Sequence, residues 1–260
     1  MIEGWQWDVT LFAGAAEHYL RGRLPYASGF ERVLADRFSG RLLDVGCGPG
    51  QVTAALAPYF DEVIGVDPDP GMLEVARGHG LPNARWVRAR AEDLPAGLGE
   101  FEVVVFAGSF HWMDRSRVAA TVMSMLVPGG GFVHIADKKD EPGSSTVPYA
   151  AIAELVRRYL GPVRRAGQGR IAGGQTPDRE ELVIEGAGFV DLERHVVPAG
   201  QVMQRSADDV VAWTFSQSSS APHLFGDRVA AFEHELREVL RGAPFEETVP
   251  PTDIRIWRKP

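Results

Sequence analysis

Two carboxylates, Asp44 and Asp67, stand at the ends of two successive apolar runs, and a triple-glycine turn follows the first of them. The turn reads Gly46-Cys47-Gly48-Pro49-Gly50 and leads into Gln51 to Tyr59, the opening of a helix. Glycines at 46, 48 and 50 let backbone N–H groups approach a ligand where a Cβ would clash. The spacing departs from a dinucleotide loop, because the third glycine of G-x-G-x-x-G would fall on Gln51. An acid beside a pyrophosphate is repelled, whereas an acid beside an ammonium group is attracted. Asp67 ends Val63-Ile64-Gly65-Val66, where a carboxylate accepts bonds from ribose hydroxyls. The ligand these residues ask for carries a ribose and a cationic end.

S-adenosylmethionine has both. On this loop and its two acids the chain resembles class I S-adenosylmethionine-dependent methyltransferases of the small-molecule type, related to ubiquinone-biosynthesis and trans-aconitate methyltransferases. The resemblance is strong from Arg41 to Asp137 and weaker beyond. It implies that Asp44 and the loop Gly46, Cys47, Gly48 and Gly50 hold the methionine end, and that Asp67 with Pro68 meets the ribose. Ala91 and Glu92 fall where the adenine ring is expected, and Ala107 ends the strand facing the methyl group. Arg90 stands where an acid or amide is usual and, as a donor only, cannot accept from the adenine amino group. Glu92, Asp93 or the Ala91 backbone is left to do so. Met72 is either an apolar cover for adenine or a core residue. Tyr19, Arg23 and Tyr26 resemble an entrance motif that folds over the donor, with Arg23 on its carboxylate, although Leu24 and Ala27 replace common prolines. An amphipathic helix with exposed arginines is the plain alternative.

Ser109-Phe110-His111-Trp112-Met113-Asp114 follows the same strand and should face the acceptor. His111 is the best candidate for a base if the acceptor is a hydroxyl, against a structural histidine. Phe110, Trp112 and Tyr26 are candidate substrate contacts; Trp112 is as readily a core anchor. Arg157, Arg158, Arg164, Arg165 and Arg170 form a basic cluster that is a solvated face or an attractor of an anionic substrate. Cys47, the single cysteine, reads as a packing residue, and no cysteine follows strand four to attack a cytosine. That absence, with Ala107-Gly108-Ser109-Phe110 where amino-methylating DNA enzymes carry N-P-P-[YF], argues against a nucleic-acid substrate. Asp137 and Asp140 are too few acids for a metal site. A nicotinamide-dependent oxidoreductase and a non-catalytic donor-binding relative are the rivals to a methyltransferase acting on a small organic molecule.

Positioning these residues requires an α/β fold: alternating strands and helices predict a Rossmann-like, mostly parallel seven-stranded sheet with helices on both faces. Strands are expected at Arg41–Val45, 62–66, Arg85–Arg88, Phe101–Ala107, Phe132–Ala136, Val190–Val197 and Ile254–Trp257. The resemblance implies that the last lies antiparallel between strands five and six. The 260 residues read as a single domain, with a helical lid at 1–40, a donor-binding half at 41–137, a cap at 138–177 and a half completing the sheet at 178–260. A net charge of −8 disfavours nucleic acid and anionic membranes. No apolar run is long enough to span a bilayer and the N-terminus lacks a signal-peptide pattern, so a cytoplasmic protein is expected.

Overall fold

The computed structural model describes residues 10–138, 143–166, 169–171 and 180–260, with the backbone alone for 164–166 and 169–171. Its centre is a seven-stranded sheet in the order β3-β2-β1-β4-β5-β11-β8. The strands β1 (Arg41–Val45), β2 (Glu62–Asp67), β3 (Ala84–Arg88), β4 (Phe101–Ala107) and β5 (Leu126–Asp137) run parallel. β11 (Thr252–Arg258) inserts antiparallel between β5 and β8 (Val190–Val197), as the resemblance implied. Helices α3 (Gln51–Leu56), α4 (Pro70–Arg77) and α5 (Arg115–Met125) make the crossovers, and α7 (Glu180–Gly186) precedes β8.

Alternation along each strand buries both faces. Leu42, Val63, Val103, Val133 and Ile254 pack with Leu34 of α2 (Phe30–Ala35) and with Val52 and Leu56 of α3. Leu43, Ile64, Phe106, Phe132 and Trp257 face the other way, onto Val118 and Val122 of α5 and Ile184 of α7. A third cluster lies off the sheet. It joins Ile152 and Leu155 of α6 (Tyr149–Leu160), Val210 and Phe215 of α8 (Ala207–Phe215), and Phe232 and Leu236 of α9 (Val229–Val239). Against its near side lies α1 (Ala16–Gly22), which crosses α8. The helical elaboration after strand five therefore builds outward from the lid helix.

Three local features differ from expectation. β5 starts at Leu126, ahead of the expected Phe132, so the run Val127-Pro128-Gly129-Gly130-Gly131 is strand. Gly131 opposes Val103, and a Cβ there would overlap the Phe38 ring, which explains a glycine in a central strand. A short ribbon of β9 (Val202–Arg205) and β10 (Phe245–Thr248) was not foreseen. Four residues are too few to show a period, and the buried member after Phe245 is a carboxylate, Glu247. The glycine-rich connector contains a hairpin, β6 (Arg164–Ala166) and β7 (Gly169–Ile171).

Candidate active site

The ends of β1 and β2 are bound into one unit. The N–H groups of Gly46 and Cys47 donate to the Val66 carbonyl at 2.7 and 3.0 Å. Gly48 N–H donates to Asp67 Oδ2 at 2.9 Å, and Asp69 N–H donates to Asp67 Oδ1 at 2.9 Å. Asp69 in turn caps α4, accepting from Gly71 and Met72 N–H. Gly48 has φ +54° and open space where a Cβ would stand. That gap is a cradle in which backbone can lie against a ligand. Gly46 is needed for a different reason: at φ +71° a Cβ would sit 2.7 Å from Ser109 Cβ.

Above this unit opens a cavity of about 1010 Å³, its mouth included. Tyr19, Gly46, Gly48, Asp67, Pro68 and Met72 line it, as expected. Ala91, Glu92, Ala107 and Trp112 line it as well. Sequence reasoning missed Leu11 and Phe12, which come from the segment before α1. Phe12 meets Trp112 and Tyr19 edge-to-face, with centroids 5.8 and 6.4 Å apart, so three aromatic rings roof the cavity. None of the described residues of 138–177 lines it. Arg88, Ser109 and Met113 were missed too. The Ser109 hydroxyl donates to the Val45 carbonyl at 2.6 Å and ties the loop after β4 to the end of β1.

Other expected residues sit beside the cavity, in supporting roles. Asp44 is buried under the loop, where Thr53 Oγ1 of α3 donates to its Oδ2 at 2.6 Å. Its Oδ1 is buried without a hydrogen-bond partner. Burial pushes its carboxyl up to about 7, and burial also raises Asp67, to about 6, against the backbone N–H bonds that favour its charge. Arg23 lies over the Tyr19 ring at 4.9 Å and donates to the Ser216 carbonyl at 3.1 Å, while its buried Nε has no partner. Tyr26 places its hydroxyl beside Gly108, and burial raises its phenol.

The structure corrects several expectations. Gly50 does not reach the cavity: a Cβ there would meet the Trp86 ring at 2.6 Å, and the residue starts α3 in the left-handed region. Cys47 is buried beneath the loop beside Gly65, and burial pushes its thiol well up, so it packs. Phe110 is a core residue, fully buried against Phe106 and Phe132 at 5.0 and 5.3 Å. His111 does not line the cavity. Its ring lies 4.8 Å from Trp112, and its charge acts on Glu180, which pairs with His134 at 3.1 Å. Glu92 is already engaged, accepting from Asp114 N–H at 2.9 Å and lying 3.5 Å from Arg90. The basic cluster is matched by acids: Arg157 pairs with Glu154 and Arg158 with Glu235. The side chains of Arg164, Arg165 and Arg170 lie outside the described residues, as does Asp140. Among the described residues no group of three acids, histidines or cysteines could hold a metal, and no helix is long and apolar enough to cross a membrane.

Comparison with known proteins places this geometry. Residues 42–130 match the family described as "Methyltransferase domain". An uncharacterized methyltransferase of Mycobacterium tuberculosis is 33% identical over 135 residues, 52% of this chain and 55% of that protein. The chain thus spans about half the length of the mycobacterial relatives it matches. Trans-aconitate 2-methyltransferase of Deinococcus radiodurans is 28% identical over 195 residues, 72% of each chain. Among solved structures, a candidate type II methyltransferase from Anaeromyxobacter dehalogenans aligns with a TM-score of 0.54 and 23% identity, covering 91% of this chain and 98% of that one. The YcgJ protein of Bacillus subtilis aligns with a TM-score of 0.51 and 17% identity, covering 88% and 98%. At these identities the structures speak to the fold alone. Over residues 42–130, about a third of its length, the chain is similar to methyltransferase domains.

Proposed function

We propose that the chain binds S-adenosylmethionine in the cavity above Gly48 and transfers its methyl group to a small organic acceptor. The observation that carries this reading is the coupled pair Gly48 and Asp67: an open glycine cradle whose N–H is held by a buried carboxylate at 2.9 Å. The Oδ1 of Asp44 and the Nε of Arg23, buried without partners, are an acceptor and a cationic donor still open to a ligand. These residues fit a zwitterionic adenosyl ligand.

When bound, S-adenosylmethionine supplies an electrophilic methyl on a sulfonium. The chain's own residues bind, orient and exclude water. Asp67 accepts from the ribose hydroxyls, Asp44 stabilises the ammonium end, and Arg23 takes the carboxylate by a charge-assisted bond. Met72 and the Ala91 backbone flank the adenine. Phe12, Tyr19 and Trp112 keep water from the cavity. Because His111 does not line the cavity, alignment carries the reaction more than a fixed base does. Tyr26, beside Gly108, is the hydroxyl best placed to orient an acceptor. The test is binding of S-adenosylmethionine, followed by a methyl-transfer assay. Trans-aconitate is the first acceptor to try, because the Deinococcus relative is named for it.

The two acids give this binding a pH dependence. Asp44 and Asp67 keep protons in the folded chain that the unfolded chain releases at lower pH. Their burial therefore costs stability in the ligand-free protein as pH rises from about 4 toward 7. An ammonium beside Asp44 and hydroxyl donors on Asp67 favour the charged forms, so binding should release protons below pH ~7. Affinity for S-adenosylhomocysteine should rise about tenfold from pH ~5 to ~7.5, and Asp44→Asn should flatten that rise. Calorimetry in buffers of different ionisation enthalpy measures the proton release; an affinity independent of pH would remove the two acids from the site.

A further inference from the structure

The lid helix α1 is held at its C-terminal end by a buried ion pair from the far half of the chain. Arg205, the last residue of β9, is 3% exposed, and its partner Glu247 on β10 is 5% exposed. Arg205 Nη1 donates to Glu247 Oε2 at 2.9 Å. Its Nη2 donates to the carbonyl of Gly22 at 2.6 Å and to that of Asp209 at 3.3 Å. The Tyr149 hydroxyl from α6 occupies the other oxygen of Glu247. Gly22 is the last residue of α1, and its carbonyl is one of those a helix end leaves without an internal partner.

Packing shows how tightly this end is fixed. A Cβ at Gly22 would overlap the backbone of Ala212 and Trp213, so α1 rests directly on α8. Outside the buried pair, Arg21 bonds Asp209 at 2.8 Å and Asp208 at 3.2 Å. One turn before Gly22 is Tyr19, which lines the cavity and touches Phe12 in its roof. A buried ion pair is a poor source of stability relative to apolar packing, because desolvation offsets the attraction. This one joins four elements, β9, β10, α6 and α8, to the backbone carbonyl that ends α1. Charged groups this deep, with partners drawn from different elements, suit a device that sets geometry.

We propose that Arg205 is a positioning residue for donor binding: through the Gly22 carbonyl it holds α1 so that Tyr19 and Phe12 lie over the cavity. The proposal rests on the reading of that cavity as the donor site. It is tested by titrating S-adenosylhomocysteine into wild type, Arg205→Lys, Arg205→Met and Arg37→Met, with amide exchange of 16–22 measured in the ligand-free proteins. Arg37 pairs with Glu193 at 2.9 Å on the edge strand β8 and serves as the control for losing an ion pair away from α1. Arg205→Met should weaken binding about tenfold or more and speed exchange in α1, and Arg205→Lys, which keeps the charge but not the fork, should fall between. Arg37→Met should change neither. If Arg205→Met proves unstable, Arg205→Lys alone decides. Wild-type affinity in both Arg205 variants, or unchanged exchange in α1, overturns the proposal. If wild type binds no S-adenosylhomocysteine, the donor reading falls and the proposal with it; loss of α1 protection in the variants would still mark Arg205 as the anchor of the helix.

Discussion

Gly48→Leu should yield a folded protein that has lost its affinity for S-adenosylhomocysteine. At φ +54° a residue with a Cβ is strained, at about 1–2 kcal/mol. No protein atom lies within 4 Å of that Cβ, so the chain itself has room for the side chain. Gly48 lines the cavity, so the added side chain should enter it beside Asp67. For a chain of this size the strain should lower Tm by roughly 2–8 °C. Affinity should fall at least about a hundredfold, or about 2.7 kcal/mol, because the isobutyl group occupies the volume the ligand needs. Calorimetry and a thermal melt on the same sample separate the two effects. Near-normal binding by a folded Gly48→Leu protein would mean that the ligand sits elsewhere. Gly46→Ala is a less clean experiment, since its Cβ would run into Ser109 and disturb the loop itself.

Phe132→Ala should be among the most destabilising single changes in the sheet, costing about 3–5 kcal/mol. Phe132 is fully buried at the centre of an aromatic cluster. It stacks on Phe106 at 4.6 Å and meets Phe189 edge-on at 5.2 Å, Phe110 at 5.3 Å and Trp257 at 6.1 Å. These rings come from β4, the loop after it, β5, β11 and the turn before β8, so the cavity left by alanine would have rigid walls on every side. The same cluster seats Phe110 and thereby the 109–114 loop that closes the site. Denaturant unfolding measures the change at a fixed m-value. A loss below about 1 kcal/mol would show that the cluster relaxes around the gap.

The donor half was legible because its requirements are local. The glycine loop, Asp44 and Asp67 are set by a few φ angles and two strand ends, and such constraints are written in consecutive residues. The last strand was placed by resemblance, not by its own pattern. What the residues concealed lies in long-range partnership. Phe110 and His111 occupy a loop facing the acceptor side in sequence, yet Phe110 is buried in the aromatic core and His111 does not line the cavity. Glu92 looks like a free acceptor until Asp114 N–H is found on its carboxylate. Phe12 is an apolar residue before a helix, and only the path of the lid brings it against Trp112. Arg205 and Glu247 are ordinary charges on four-residue strands, and their burial follows from the third helical cluster closing around them.

The most direct test of the account is calorimetric titration of S-adenosylhomocysteine into the wild-type protein near neutral pH. The predicted result is one site per chain with Kd in the range of about 1–100 μM. S-adenosylmethionine should compete for that site and NAD should not, and proton release should grow as pH falls below ~7. No binding of either adenosyl compound at ~1 mM, or preferential binding of NAD, would contradict the reading of the Gly48–Asp67 cradle on which the rest depends.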